Sequence, residues 1–220
     1  MAAPRCEDAN LYEFVTKQLH ENDNPVELTE IYNQWTSYDK EVKQVSYAAP
    51  KNLAQVVDKH VQNKDCSIID IGAGTGLVAE ELRKSGFTGR FDAIEPSTGL
   101  WKEAEQKGGL YQNCYAEYVT VEKQCSIPTG FYDHAVTCGA VVPGHIPYQA
   151  LSEILRMVKK GGCIFACFRK DYLGSEQFQG FNTFLDEIQS EGKCTYKIIE
   201  IEEYCFSLPG LIVVLNKTYE

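Results

Sequence analysis

The chain has 220 residues, 44% of them hydrophobic, and its 21 basic and 31 acidic side chains leave a formal charge of −10. That apolar share can fill a real core and the length suits one rather large domain, which excludes disorder, collagen-like sequence and coiled coil. A polyanion such as DNA or RNA is repelled by this charge, and basic residues gather no further than pairs such as Arg83-Lys84 and Lys159-Lys160, so nucleic acid is not an expected partner.

Unbroken apolar runs such as residues 211–215 are far short of the roughly 20 residues that cross a bilayer. Residues 1–14 lack the basic and apolar blocks of a secretion signal, so a cytoplasmic protein without membrane contact is expected. The nine cysteines form no Cys-x-x-Cys pair, and most sit in apolar runs (Cys66, Cys138, Cys163, Cys167). They read as reduced, buried, small hydrophobes, and no metal is expected.

In chain order, residues 1–65 show helix-like stretches at 8–19 and 53–61 with an aromatic segment between them (Tyr32, Trp35, Tyr38, Tyr47). This portion reads as a helical annex to the same domain. From residue 66 short β-branched or aromatic runs alternate with amphipathic segments of helix length. The reading is strand 67–71, helix 77–84, strand 91–94, helix 98–106, a weaker strand 110–115, strand 132–138, helix 148–158 ended by Gly161-Gly162, and strand 163–168. That rhythm predicts a parallel sheet covered on both faces.

After a helix-like segment at 175–190, two strand-like runs at 195–206 and 211–216 are joined only through Leu208-Pro209-Gly210. So short a link holds no crossover helix, and the last two strands are expected to be antiparallel neighbours. The expected fold is α/β: a Rossmann-like, seven-stranded, mostly parallel sheet with an antiparallel C-terminal pair and helices on both faces, the core spanning residues 66–220.

The strongest signal is Ile68-Ile69-Asp70-Ile71-Gly72-Ala73-Gly74-Thr75-Gly76-Leu77, an apolar strand running into a glycine loop and then a helix. Glycines at alternate positions let the backbone turn sharply and let a ligand approach where a Cβ would collide, while the helix start offers N–H donors. Gly74-Thr75-Gly76-Leu77-Val78-Ala79 also satisfies the dinucleotide pattern G-x-G-x-x-A. Asp70 speaks against a dinucleotide: a carboxylate facing the loop repels a diphosphate and attracts an ammonium. S-adenosyl-L-methionine (SAM) carries an ammonium and a sulfonium but no phosphate. A plain loop or helix cap is the other reading of Asp70.

Glu95 ends the second strand 23 residues after Gly72, the approximate spacing at which an acid in such folds accepts hydrogen bonds from ribose hydroxyls. SAM and NAD share that ribose, so Glu95 supports adenosine without choosing between them.

Asp-Ile-Gly-Ala-Gly-Thr-Gly, Glu95, the Tyr132-Asp133 opening of the fourth strand and Lys160-Gly161-Gly162 before the fifth resemble the class I SAM-dependent methyltransferases. The Tyr32-x-x-Trp35-x-x-Tyr38-Asp39 segment and the Ile94-Glu95-Pro96-Ser97 turn are most similar to the methyltransferase-like proteins named for the Williams-Beuren syndrome region. The resemblance implies that Asp70, Gly72, Gly74 and Gly76 hold the methionine part of SAM, that Glu95 holds the ribose, and that Pro96 and Leu100 lie beside the adenine. It places Cys138 near the sulfonium. Tyr115 stands where the family often has an Asp on the adenine amino group, leaving Ala116 backbone groups or the Glu117 carboxylate to substitute. S-adenosyl-L-homocysteine is the implied product.

Tyr32, Trp35, Tyr38 and Tyr47 have two candidate roles, an aromatic face packed on the core or a lid, with Tyr38 among the rings that shelter a sulfonium. His145, in the loop after the fourth strand where an acceptor would enter, is either a base for an acceptor O–H or N–H or a loop residue without a role. His134, inside that strand, is a weaker candidate. Two other functions remain open: an NAD(P)-dependent oxidoreductase, for which no Tyr-x-x-x-Lys follows the first strand, and a non-catalytic SAM-binding protein. The expected acceptor is a small molecule first and a protein side chain second, since Pro-Pro-aromatic and Pro-Cys sequences for base methylation are missing.

Overall fold

Strand alternation decides which side chains meet which helices. The computed structural model describes residues 19, 22 and 24–220. Its strands are β1 (Ile68–Ile71), β2 (Phe91–Ile94), β3 (Asn113–Tyr115), β4 (Tyr132–Cys138), β5 (Val158–Arg169), β6 (Cys194–Cys205) and β7 (Leu208–Lys217). They form one sheet in the order β3-β2-β1-β4-β5-β7-β6. The five strands from β3 to β5 run parallel to their neighbours, and β7 is antiparallel to both β5 and β6. The helices are α1 (Pro25–Gln34), α2 (Tyr38–Gln44), α3 (Ala49–His60), α4 (Leu77–Lys84), α5 (Thr98–Gln106), α6 (Leu151–Met157) and α7 (Phe181–Ser190).

Because successive strand residues point to opposite faces, Ile68, Val136, Phe165 and Ile212 pack with Leu53 and Val57 of α3 and Val78 and Leu82 of α4. Ile69, Ala135, Ile164 and Val213 meet Ile154 and Leu155 of α6 and Leu185 of α7 on the other face. With both faces covered, all four residues of β1 are buried, and Asp70 is the one polar side chain among them. No helix among the described residues is long and apolar enough to cross a membrane.

Residues 8–18 of the first expected helix lie outside the described residues. Elsewhere the sequence reading and the structure differ at three places. The aromatic segment holds two helices, α1 and α2, broken at Trp35, so Tyr32, Trp35 and Tyr38 do not share one helix face. The glycine pair does not stop a helix: α6 ends at Met157, and Gly161-Gly162 lie inside β5, where a Cβ on Gly162 would sit 2.0 Å from the Asp133 carbonyl oxygen. The last hairpin turns at Phe206-Ser207, both left-handed (φ 53° and 57°), and Leu208-Pro209-Gly210 already belongs to β7. The Phe206 N–H donates to the Val45 carbonyl (2.9 Å) and the Ala48 N–H to the Tyr204 carbonyl (2.9 Å), so tertiary hydrogen bonds hold a turn that carries no Gly or Asn.

Two polar anchors seat α1 and α2 over the sheet edge. Asn33 Oδ1 accepts from Ser97 Oγ (3.0 Å) and from the Gly99 N–H (3.1 Å) at the start of α5. Asp39 Oδ1 accepts from Thr75 Oγ1 of the glycine loop (2.5 Å), while its Oδ2 pairs with Lys107 Nζ (2.6 Å), which also pairs with Glu80 (2.6 Å). An Asp39→Ala protein is expected to lose about 1 kcal/mol of stability. Its α2 amides should exchange hydrogen faster while those of α6 keep their rates. Unchanged exchange in α2 would show that this carboxylate does not hold the helix down.

Candidate active site

Open parallel sheets leave a crevice at the carboxyl ends of their strands, where neighbouring connections diverge. Four loops meet there: Gly72 to Gly76 after β1, Glu95 to Ser97 after β2, Glu117 to Thr120 after β3, and Gly139 to Pro147 after β4. With Leu28, Thr29 and Tyr32 of α1 and Tyr38 of α2 they enclose a cleft of about 280 Å³. A second chamber of about 80 Å³ lies against it, sharing Tyr32, Tyr38 and Gly139 and walled further by Trp35, Tyr47, Tyr172 and Tyr204.

Of the ten residues expected at a ligand site, the structure brings Tyr38, Gly72, Gly74, Glu95, Pro96, Glu117 and Cys138 to the cleft wall; Asp70, Gly76 and Ala116 are not on it. The Asp70 carboxylate, 3% exposed, lies on the α3–α4 side of the sheet and accepts the Tyr111 hydroxyl (2.6 Å). Burial pushes its pKa up to about 7 against the Tyr111 hydrogen bond, and the charge of Glu95 raises it further. Asp70 therefore stands within electrostatic reach of the cleft without facing it. Gly76, left-handed at φ 84°, caps α4.

Glu95 is buried at the cleft wall. One carboxylate oxygen accepts the Gly74 N–H (2.7 Å) and the other the Ser97 N–H (2.7 Å). Burial raises its pKa, and these two backbone bonds pull it back down. Glu117 carries an ionised carboxylate, but Ser126 holds it through both N–H (3.0 Å) and Oγ. Tyr115, at the position of the family's adenine-binding Asp, packs its ring on the core and does not line the cleft.

The residues that line the cleft without having been singled out are those of α1 and of the loop after β3, notably Leu28, Thr29, Tyr118 and Thr120. Asn24-Pro25, an N-cap that accepts from the N–H groups of Val26 and Glu27 followed by Pro at the first helical position, signals that a helix starts there. No local pattern tells that this helix roofs a cleft. Of the four annex aromatics, Tyr32 and Tyr38 face the cleft and all four wall the smaller chamber, so packing and roofing are the same surface. His134 is not at the cleft; its Nδ1 accepts the Cys163 N–H (3.1 Å) inside the sheet. His145 does line it.

The cysteines described are all free thiols. Among the described residues no group of three or more His, Cys, Asp or Glu is placed to hold a metal ion.

The loop chemistry tells ligands apart. A diphosphate needs backbone donors, yet the N–H groups of Gly72 and Ala73 donate to the Ile94 carbonyl, that of Gly76 to Ala73, and that of Gly74 to Glu95. With those donors engaged and two carboxylates nearby, the site suits a ligand that is cationic at the loop and carries hydroxyls near Glu95.

This strand order, with the reversed seventh strand and the cleft at the carboxyl ends of its parallel strands, is the Rossmann-like fold of the class I SAM-dependent methyltransferases. Residues 68–162 match the methyltransferase domain family. The dinucleotide oxidoreductase reading is not favoured. Among curated proteins, the chain is 30% identical over 164 residues to human methyltransferase-like protein 27, covering 73% of this chain and 65% of the relative. It is 29% identical over 160 residues to the ubiquinone biosynthesis O-methyltransferase of Photobacterium profundum, covering 69% and 64%. The chain thus spans slightly less than two thirds of the length of these relatives. Among solved structures, a TehB-like SAM-dependent methyltransferase of Corynebacterium glutamicum superposes with a TM-score of 0.59 at 19% identity, covering 89% of this chain and 100% of that one.

Proposed function

We propose that this protein transfers the methyl group of SAM to a small-molecule acceptor bound in the same cleft. The observation that carries the reading is that the glycine loop, Glu95, Cys138 and His145 border one continuous space. When bound, SAM supplies an electrophilic methyl group on a sulfonium. Glu95 would take the ribose hydroxyls with the lone pairs its two backbone bonds leave over, and Pro96 and Leu100 would flank the adenine, with Ala116 and Glu117 at its edge. Gly72, Gly74 and Gly76 would shape the bed for the methionine end, with Asp70 favouring its ammonium through the field. Tyr38 and Cys138 would stand near the sulfonium.

Residues 1–65 act in this reading as a lid on the core of residues 66–220, supported by the contacts of Asn33 with α5 and of Asp39 with Thr75. A cleft of about 280 Å³ roofed by α1 favours a small acceptor over a protein side chain, and a charge of −10 disfavours nucleic acid. We also place the chain with the methyltransferase-like proteins of the Williams-Beuren syndrome region, on the Tyr32 to Asp39 segment and the identity with methyltransferase-like protein 27. A cytoplasmic location agrees with its charge and composition.

Calorimetry tests the reading directly: SAM and S-adenosyl-L-homocysteine are expected to bind with a Kd on the order of micromolar, and NAD not at all. Glu95→Gln turns one acceptor oxygen into an NH₂ group that faces a backbone N–H, so SAM affinity should fall about 10- to 100-fold. Binding of NAD in place of SAM, or wild-type affinity in Glu95→Gln, would reject the proposal.

A further inference from the structure

The loop after β4 and helix α1, 113 residues apart in sequence, meet in one polar contact at the cleft: Tyr32 Oη lies 2.8 Å from His145 Nε2. The other ring nitrogen of His145 lies 3.0 Å from the Pro143 carbonyl oxygen. A carbonyl only accepts, so Nδ1 carries the hydrogen. In the neutral ring that leaves Nε2 as the acceptor of the Tyr32 hydroxyl. Burial holds the His145 imidazole below its ordinary pKa and lifts the Tyr32 phenol well above its own, with the charge of Glu95 adding to the latter. The pair therefore stands at neutral pH as an uncharged O–H···N hydrogen bond, with a hydroxyl proton that can move onto a nitrogen lone pair.

The surroundings fit an uncharged acceptor. Leu28, Ile146 and Pro147 share the cleft with the pair and would take an apolar body. An amine would first have to shed its ammonium proton, and a thiol ionises by itself. A hydroxyl on an aromatic ring or enol keeps its proton at neutral pH and becomes a competent nucleophile only as that proton leaves, so it is the acceptor for which a proton relay matters, by about 10²- to 10⁴-fold.

We propose that Tyr32 is the catalytic residue that takes the proton of a phenolic or enolic hydroxyl acceptor, and that His145 is the positioning residue that takes the proton Tyr32 gives up. This rests on the methyltransferase reading above. The bond formed joins the acceptor oxygen to the methyl carbon, and the bond broken is methyl carbon to sulfur, whose electron pair stays on the sulfur of the product. The acceptor proton passes to Tyr32 Oη as the Tyr32 proton passes to His145 Nε2, and from the imidazolium to water.

The test uses the whole chain, its Tyr32→Phe and His145→Gln variants, and phenol, catechol and 2-naphthol as hydroxyl probes, with thiophenolate as a nucleophile that needs no base. Both variants are expected to bind SAM within about threefold of wild type by calorimetry. Transfer to the hydroxyl probes should fall about 10²-fold or more, and transfer to thiophenolate by much less. Among the described residues, Glu95 and the phenols of Tyr38 and Tyr172 are in electrostatic contact with Tyr32. Against that background the wild-type rate with hydroxyl probes should fall on an acid limb lying below the ordinary imidazole value, and that limb should vanish in His145→Gln. Independently of turnover, ¹⁵N spectra should show His145 as the neutral Nδ1–H tautomer, its Nε2 signal moving in Tyr32→Phe. Equal losses on hydroxyl and thiolate probes, the opposite tautomer, or a SAM-binding wild type that methylates none of the hydroxyl probes would overturn the proposal. A wild type that does not bind SAM would instead reject the methyltransferase reading.

Discussion

Gly72→Val is expected to abolish SAM binding, with affinity falling at least about 10²-fold, and to lower the thermal midpoint by about 10 °C. Two costs add at this position. The backbone is left-handed at φ 67°, a region that costs an L-residue about 1–2 kcal/mol and a β-branched one more. A Cβ there would also lie 2.4 Å from the Ala140 Cβ, so either the glycine loop or the loop after β4 must move. Both loops wall the cleft, and the collision therefore falls on the ligand space as well as on the fold. Gly86→Ala is the control: it is left-handed too (φ 87°) but nothing lies within 4 Å, so it should cost about 1 kcal/mol and leave SAM binding intact. Thermal melts and calorimetry on the two variants separate backbone strain from the collision. Wild-type SAM affinity in Gly72→Val would mean that the loop is not the binding site.

Asp70→Asn is expected to make the ligand-free protein more stable at alkaline pH, the reverse of what loss of a functional carboxylate suggests. The group has an ordinary pKa of 3.8 and one of about 7 in the folded protein, burial being the main cause. Below about pH 4 the folded and unfolded chains both hold the proton, and the carboxyl costs nothing. Between about pH 4 and 7 the unfolded chain ionises while the folded one keeps its proton, so stability falls as the pH rises. Above about 7 the folded group ionises as well, and the penalty levels off at roughly 4 kcal/mol. An amide does not titrate, and its oxygen can still accept the Tyr111 hydroxyl. Urea unfolding should therefore show a gap between wild type and Asp70→Asn that is small at about pH 4 and largest at about pH 8. SAM should narrow the gap, because an ammonium near the loop favours the ionised carboxylate, and the variant should bind SAM about tenfold more weakly. A gap that does not change with pH would show that Asp70 is not held protonated by burial.

The parts of the site that could be read from the chain are those that one strand and the turn after it determine. β1, the glycine loop and α4 are contiguous, and Glu95 follows β2 directly, so hydrophobic alternation and glycine spacing suffice to bring them to one edge. Asp70 shows where such reading stops. Its place at the end of β1 was legible, but the alternation that puts Ile69 and Ile71 on one face turns Asp70 to the other, under Tyr111 from a segment 41 residues away. Glu117 was legible as an acid near the cleft, whereas its capture by Ser126 depends on how the long connection after β3 folds back. The turn at Phe206-Ser207 carried no turn signal because its conformation is imposed by hydrogen bonds to Val45 and Ala48, not chosen by its own residues.

The amino-acid order by itself determined the sheet, its reversed last strand, the glycine bend and the acid after β2, because each follows from periodicity or from backbone freedom within about 30 residues. Only the folded molecule decided that α1 and α2 roof the cleft, that Asp39 bonds Thr75, and that the Tyr32 hydroxyl meets His145. Such pairings join residues distant along the chain, and they exist only once the sheet has set the geometry against which the helices pack.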